Sequence, residues 1–316
     1  MTDETRADPI VSAVIPTFGR PELLRRAVDS ALAQTLAAVE VIVVIDGDDP
    51  PTRAALAQVA DPRLRVISHA SKRGPGGARD TGAAAAAGRW VAFLDDDDEW
   101  RPDKLAKQIA LAGEDRHVLV TTLSHVVTPG GTFVRPLSPY APDRPIDEWL
   151  FDRTTWTKGG MTFLQTSSLM LPRALFDRLH FSDSHQHEDW ELVIRAVKQH
   201  GHGLLTVPEP LTVHYENYGA SLSKQRTWRH SLGWIDGLGD LVTPRAYSGF
   251  LLNEIGRATA EAGTVAALPT LLKQAFARGR PTPKQLFRFG LGWAMPTRWR
   301  RAVRSRLQAV RPGAGG

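Results

Sequence analysis

The chain of 316 residues contains no cysteine. Disulfides, thiolate metal sites and a cysteine nucleophile are therefore excluded, and any metal must be held by oxygen or imidazole. No run of about 18 uncharged apolar residues occurs, so no segment is expected to cross a bilayer as a helix. Acidic residues are missing from the last part of the chain: none follows Glu261. Eleven of the 39 Lys and Arg lie in residues 263–316, which leaves 28 basic against 34 acidic groups, a net charge of −6, in residues 1–262. That division excludes a uniformly basic nucleic-acid binder, and no nucleic-acid partner is expected. It fits an acidic body with a cationic appendage that meets phosphate, here at an anionic membrane surface.

What is present is ample for a large core, with 42% hydrophobic and 23% charged residues. The N-terminus, MTDETRADPIVSAVIP, is acidic where a secretion signal needs a basic region. The expected location is cytoplasmic, with peripheral attachment to the cytoplasmic membrane face as the role of the basic end. Short β-branched runs alternate with amphipathic stretches: IVSAVI (10–15), PELLRRAVDSALAQ, VEVIVVI (39–45), a Pro-started helix from 51, LRVIS (64–68), an Ala-rich helix over 78–87, and WVAFL (90–94). Continuous apolar strands between amphipathic helices imply an α/β fold, a mostly parallel sheet with helices on both faces. Beyond residue 100 the pattern turns mixed. A helix from Pro102 leads to HVLVTTLSHVV, 128–145 is irregular, FLQTSSLML (163–171) reads as a buried strand, and GLLTVPEPLTVHYEN as two strands broken by prolines. From about Ser223 the chain reads as helical.

In open α/β sheets ligands sit beyond the carboxyl ends of the strands. The residues there are Pro16, Thr17, Phe18, Gly19 and Arg20 after the first strand, Asp46 to Asp49 after the second, and Asp95, Asp96, Asp97 and Asp98 after the fourth. Carboxylates this crowded repel one another unless a cation is shared, and hard oxygen ligands suit Mg²⁺ or Mn²⁺. The bland alternative is a solvated turn capping the next helix. Asp46 reads either as an acceptor for a nucleotide or as an ordinary turn residue. KRGPGGARDTG (72–82) reads as a glycine-rich loop before a helix, and Arg79 as a phosphate clamp or the partner of an aspartate. Glu188 and Asp189 open a helix. They serve either its dipole or as general base, beside Trp190. Histidines 180, 185, 187, 200 and 202 lack zinc-site spacing. His214, between apolar residues on a late strand, is a candidate metal or phosphate contact or a core histidine.

Taken together, VSAVIPTFGRPELLRRAVDSAL, EVIVVIDG, GGARDTGAAAAAGRWVAFLDDDDEWRPDKL and HEDWELVIRA resemble the family 2 glycosyltransferases of GT-A fold over roughly residues 10–220. The resemblance implies a nucleotide-diphosphate sugar donor, a divalent cation (Mg²⁺ or Mn²⁺) and inverting transfer to an acceptor hydroxyl. Pro16, Thr17, Phe18 and Arg20 would line the nucleotide pocket, Asp46 would hold the base, and Arg79 would support the phosphates. Asp95 and Asp96 would face the donor. Asp97, with Asp95 and His214 as further candidates, would hold the metal. Asp189 would be the catalytic base and Glu188 its helper.

One departure stands out: Ile45 occupies the first of two positions where family members often carry aspartate. A UDP-sugar is the first expectation for the donor, and a glycan, a lipid-linked or a small molecule for the acceptor, whose site Gly159, Gly160, Thr166 and Ser167 would border. The implied organisation is an N-terminal tail (1–9), a GT-A domain (10–222, with a nucleotide-sugar half 10–98 and an acceptor half 99–222), and a helical basic C-terminal region (223–316). Within that region LFRFGLGWAMP (286–296) and TRWRRAVRSRLQAV (297–310) have the aromatic and arginine mix of a membrane-surface helix, or of a helix packed on the acidic body. A metal-dependent nucleotidyl- or phosphotransferase and a non-catalytic nucleotide-sugar-binding scaffold are the alternative functions.

Overall fold

The computed structural model describes residues 8–153, 162–182, 186–216 and 227–294. Its strands are β1 (Val11–Thr17), β2 (Val39–Ile45), β3 (Leu64–Ser68), β4 (Trp90–Phe93), β5 (Glu99–Trp100), β6 (Val118–Thr128), β7 (Gly131–Arg135), β8 (Met170–Pro172) and β9 (Gly203–Tyr215). Among the described residues these nine form one sheet in the order β3-β2-β1-β4-β8-β6-β9-β5, with β7 paired to β6. Strands β3, β2, β1 and β4 run parallel, as does the β6–β9 pair, while β8 is antiparallel to both its neighbours and β5 to β9.

Every residue of β1 and β2 is buried, as expected of parallel strands covered on both faces. On one face α1 (Pro21–Leu32) lays down Leu24, Ala27, Val28 and Ala31, a stripe at helical spacing, over Ala13, Ile15, Val41 and Val43. Pro21 starts that helix where its missing N–H costs nothing. Each large side chain of the stripe contributes about 1.5–3 kcal/mol by burial, and a charge at Val28 would break the layer.

The opposite face receives α3 (Gly74–Ala85). This corrects the reading of 72–82 as a loop: its glycines lie inside the helix. A Cβ at Gly82 would stand 2.3 Å from Val14 Cγ1, and one at Gly76 3.1 Å from the Ser182 carbonyl oxygen. Glycine is there for close packing.

Two further expectations are corrected. In 163–171 the polar centre Thr166–Ser168 forms a 3₁₀ turn, and the strand is only Met170–Pro172, because three buried hydroxyl side chains need hydrogen-bond partners that a ladder does not supply. The segment from Gly203 forms a single strand. Register shifts against β6 between Thr122 and Ser124 absorb Pro208 and Pro210. The irregular 128–145 stretch contains β7.

Contacts divide the chain into two units: residues 1–127, 133–143 and 163–219, and residues 128–132, 144–162 and 220–316. The first also contains α2 (Pro50–Leu56), α4 (Lys104–Ala112) and α6 (Glu188–Lys198). The second is helical: α5 (Ile146–Phe151), α7 (Trp228–Gly237), α8 (Pro244–Gly249), α9 (Gly256–Ala262), α10 (Leu268–Ala277) and α11 (Pro283–Ala294). A π-helical turn, Phe250–Ile255, joins α8 to α9. The core of this unit is aromatic, with Phe151 edge-on to Phe250 at 5.0 Å and to Trp234 at 6.3 Å. Among the described residues no helix is long and apolar enough to cross a membrane.

Candidate active site

The parallel strands β1 and β4 are neighbours, so the residues after them share one edge of the sheet. Thr17 Oγ1 donates to Asp96 Oδ2 at 2.7 Å. Arg20, at the start of α1, reaches Asp96 Oδ1 at 3.2 Å and Asp97 Oδ2 at 3.1 Å. Burial raises the pKa of Asp96 to about 6 against the pull of Arg20 and Thr17. Burial followed by repulsion from Asp95 and Asp98 raises that of Asp97 to about 6. In both, loss of hydration by the charged form outweighs the attraction of Arg20, and the neighbouring aspartates add to it.

Asp95 points elsewhere. The buried guanidinium of Arg79, on α3, donates to Asp95 Oδ1 at 2.6 Å through Nη2 and to Glu188 Oε1 at 2.9 Å through Nη1. Burial works against its charge, but Asp95 and Glu188 outweigh that and hold the proton more tightly than usual. Glu188 and Asp189 are the first two residues of α6. Asp189 Oδ1 accepts the Trp190 amide at 2.8 Å. Burial first, then repulsion from Glu188, raises the Asp189 pKa to about 7. Before it, His187 holds φ 68, the only non-glycine positive value among the described residues, and its ring stacks on Trp190 with centroids 5.1 Å apart. A backbone held in that region belongs to a shape the surrounding structure imposes.

The fourth aspartate faces inward. Asp98 is fully buried, and its Oδ2 accepts from Gln165 Nε2 at 2.8 Å and Ser167 Oγ at 2.6 Å. Its Oδ1 lies 3.0 Å from His214 Nδ1. Burial lowers the His214 pKa, but Asp98, with Asp95 and Asp97 further off, raises it to about 9. His214 thus faces the buried Asp98 carboxylate through Nδ1. Ser167 Oγ also accepts the Asp95 amide at 3.0 Å, and the Ser167 carbonyl accepts Trp100 Nε1 at 2.7 Å. Ser167 thus fixes the loop that presents Asp95 to Asp97.

At the end of β2 the Asp46 carboxylate accepts the Arg73 and Gly74 amides at 2.7 and 2.9 Å and faces His69 Nδ1 at 2.9 Å. It thereby anchors the N-terminus of α3. His69 Nε2 lies 2.9 Å from Thr81 Oγ1. Pro16 is buried inside β1 opposite Val44, whereas Phe18 is 39% exposed with Lys72 Nζ 3.6 Å above its ring. Asp49 caps α2 through the Thr52 amide and ties in the Gly19 amide at 2.6 Å.

Among the described residues no three His, Asp or Glu side chains converge to hold a metal unaided. The chemistry of the donor set nonetheless fits a hard cation: the Asp95 and Asp97 side chains are 30% and 29% exposed, while Asp96 and Asp98 are turned in. One or two carboxylates together with ligand phosphates form an ordinary Mg²⁺ shell.

Thr166 is buried beside Ser167. His180 is exposed, 3.8 Å from Asp80. His202 lies 5.6 Å from His117, ring to ring. Gly159, Gly160, His185 and the 297–310 segment lie outside the described residues.

Sequence reasoning missed the inward role of Asp98, the anchoring of Asp46 and the part of His69. Residues 95–98 form a turn closed by the Asp98 amide on the Asp95 carbonyl at 3.1 Å, so strand alternation gave no signal that singled out Asp98.

The profile of Glycosyl transferase family 2 matches residues 12–179, just over half of the chain. The succinoglycan biosynthesis protein ExoO of Rhizobium meliloti is 46% identical over 104 residues, 33% of this chain and 30% of that protein. The amylovoran biosynthesis glycosyltransferase AmsB of Erwinia amylovora is 29% identical over 248 residues, 74% of this chain and 79% of that protein. The UDP-Glc:alpha-D-GlcNAc-diphosphoundecaprenol beta-1,3-glucosyltransferase WfgD of Escherichia coli is 34% identical over 104 residues, 33% of this chain and 41% of that protein. Among solved structures, S. aureus TarS 1–349 in complex with UDP-GlcNAc superposes with a TM-score of 0.60 at 16% identity, covering 92% of each chain. The mannosyltransferase PcManGT from Pyrobaculum calidifontis, in complex with GDP-Man and Mn²⁺, gives 0.59 at 19% identity, covering 96% of this chain and 84% of that one. The shared feature is the GT-A fold, a mixed, mostly parallel sheet flanked by helices.

Proposed function

The chain belongs to glycosyl transferase family 2, and from that premise we propose that it moves a sugar from a nucleotide-diphosphate sugar to an acceptor hydroxyl by a single inverting displacement. The observation that carries the reading is the Arg79 bridge, which ties the aspartate loop after β4 to the first turn of α6. Donor-facing carboxylates and a base with a pKa of about 7 are thereby held on one frame.

In the proposed reaction Asp189 takes the proton of the acceptor hydroxyl. The acceptor oxygen forms a bond to the anomeric carbon, and the bond from that carbon to the diphosphate breaks, its electron pair leaving with the nucleoside diphosphate. One displacement inverts the centre, and a departing diphosphate needs no acid to protonate it, unlike the leaving group of a glycoside hydrolase. Mg²⁺ or Mn²⁺, held by Asp97 and Asp95 with the donor phosphates, would supply Lewis-acid neutralisation of the charge on that leaving group. Arg20 positions Asp97, Thr17 positions Asp96, and Arg79 positions Glu188 beside the base. Phe18 and Lys72 offer a flat, cationic surface for the nucleotide.

A UDP-sugar is the first donor to try, since the complex of TarS contains UDP-GlcNAc. A lipid-linked or growing glycan acceptor in cell-surface polysaccharide or glycolipid synthesis is supported by the names of AmsB and WfgD. With such an acceptor, the location we propose is the cytoplasmic membrane face, with the basic C-terminal region on anionic lipid. Calorimetric titration with UDP, GDP, dTDP and CDP, in Mn²⁺ and then in EDTA, tests the donor site. Metal-dependent binding of one nucleotide, lost in Asp97→Ala, is the expected result. Binding of none would overturn the donor assignment.

A further inference from the structure

Arg25 and Arg26 stand side by side on α1 and do different things. Arg25 Nε pairs with Asp29 at 2.8 Å, one turn further along the same helix, an exposed contact that contributes little. Arg26 reaches out of the helix. Its Nη2 donates to the Asp97 carbonyl at 2.6 Å, 71 positions away in the chain. Its Nε lies 2.9 Å from Glu99 Oε1, an ion pair without hydrogen-bond alignment at that nitrogen. The guanidinium carbon sits 4.0 Å over the Tyr215 ring at the end of β9, and the Tyr215 hydroxyl donates to the same Glu99 oxygen at 2.7 Å. One guanidinium therefore joins α1, the aspartate turn and β9. A turn further along α1, Ser30 Oγ accepts the Trp100 amide at 3.2 Å, so the helix grips the chain on both sides of Glu99.

The contact at Asp97 is to the main chain. Arg20 holds the Asp97 carboxylate at 3.1 Å, and a cation arriving at that carboxylate competes with Arg20 for it. The carbonyl takes no part in that competition, so Arg26 keeps its hold when the side chain changes partner. A planar fork with a carboxylate at its edge and a ring against its face has little freedom to follow a shift of the turn. Folding stability is not what the cluster supplies. The Arg26 and Glu99 side chains are 34% and 28% exposed, and pairs in that range add little to it.

We infer that Arg26 is a positioning residue for the divalent cation: it fixes the Asp97 main chain and thereby the direction in which the Asp97 carboxylate meets the ion. The inference rests on the metal reading of Asp97 given above. Its sign separates it from a plain charge effect. A guanidinium beside a carboxylate cluster repels a cation, so on Coulomb grounds alone its removal strengthens cation binding. Positioning requires the opposite.

Mn²⁺ titrated into the full chain, with UDP, GDP, dTDP and CDP present in turn and the free ion followed by its spin-resonance signal, tests this. The variants are Arg26→Gln, Arg26→Lys, Tyr215→Ala and Asp97→Ala, with melting temperatures measured on the same samples before metal is added. Wild type is expected to bind the ion with one nucleotide, and Asp97→Ala to lose it. Arg26→Gln and Arg26→Lys should each weaken Mn²⁺ binding roughly tenfold at a nearly unchanged melting temperature, the lysine variant because it keeps the charge but not the planar fork. Tyr215→Ala, which removes the ring under the guanidinium, should shift affinity the same way. If Arg26→Gln binds Mn²⁺ as tightly as wild type or more tightly while Asp97→Ala does not bind, the metal reading stands and the positioning role is wrong. If Arg26→Lys matches wild type, charge suffices and the role fails. If affinity falls only in step with a lowered melting temperature in all of these variants, the contact is structural and the inference is overturned. If wild type binds no Mn²⁺ with any of the four nucleotides, or Asp97→Ala binds as wild type does, the metal reading fails first and this inference with it.

Discussion

Arg79 Nη1 lies 2.9 Å from Glu188 Oε1, a contact between residues 109 positions apart. Because the same guanidinium also takes Asp95, the donor-facing loop and the base-bearing helix share one buried cation. Arg79→Ala leaves two carboxylates facing each other without it. It should destabilise the fold by about 3–5 kcal/mol, read as a lower melting temperature. Arg79→Lys keeps the charge but not the two-pronged geometry. It is expected to fold and to lose about 10²-fold in turnover. Wild-type turnover in the lysine variant would count against the bridge as a positioning device.

The pKa of Asp189, raised to about 7, sets the pH profile. Turnover should climb as pH rises toward 7 and level off above it, because only the carboxylate accepts a proton. Asp189→Asn should remove that slope and lower turnover by about 10²–10⁴-fold while nucleotide affinity stays unchanged. Nucleotide affinity that falls in parallel would reassign Asp189 to donor binding.

The same shift carries a stability sign. A folded-state pKa raised from 3.8 to about 7 means the native state keeps a proton that the unfolded chain gives up. The contribution from this group is full below the unfolded value and is lost as pH rises through about 7. Asp189→Asn should therefore match wild type in melting temperature near pH 4 and exceed it above pH 7. Melting curves over that range decide the matter.

Gly82 tests the packing of α3 on β1. A Cβ there would come within 2.3 Å of Val14 Cγ1, so Gly82→Ala should cost about 1–3 kcal/mol. Val14→Ala removes the clashing methyl groups. The double variant should be more stable than the sum of the two single losses predicts. Additive losses in a denaturation series would mean the helix simply slides.

Depletion of metal gives a separate test of the aspartate run. With EDTA, nucleotide affinity should fall to that of Asp97→Ala, and Asp98→Asn should leave the metal dependence intact while lowering the melting temperature. Asp98 serves Gln165, Ser167 and His214 inside the protein, so its loss is structural.

The alternation of apolar runs with amphipathic helices made the first four strands legible. So were the polar groups that follow β1, β2 and β4, because parallel strands end on one edge. Less was visible in the second half. The 3₁₀ turn at Thr166–Ser168 arises because Asp98 needs the Ser167 hydroxyl, and the unbroken β9 arises because β6 shifts register against the prolines. Local pattern contains neither partner.

Asp46 marks the boundary between the two kinds of information. Its position after β2 was readable, yet its carboxylate is occupied by the Arg73 and Gly74 amides and faces His69, an arrangement that depends on where α3 starts. The amino-acid sequence by itself determined the parallel half of the sheet, the edge on which chemistry gathers and the residue types found there, because burial of apolar runs and strand direction are local consequences of composition. Only the tertiary structure decided which of four adjacent aspartates face outward, which one is locked to His214, and that Arg79 joins the loop to α6. Those outcomes follow from charge pairing and desolvation between groups that the chain brings together only after it has folded.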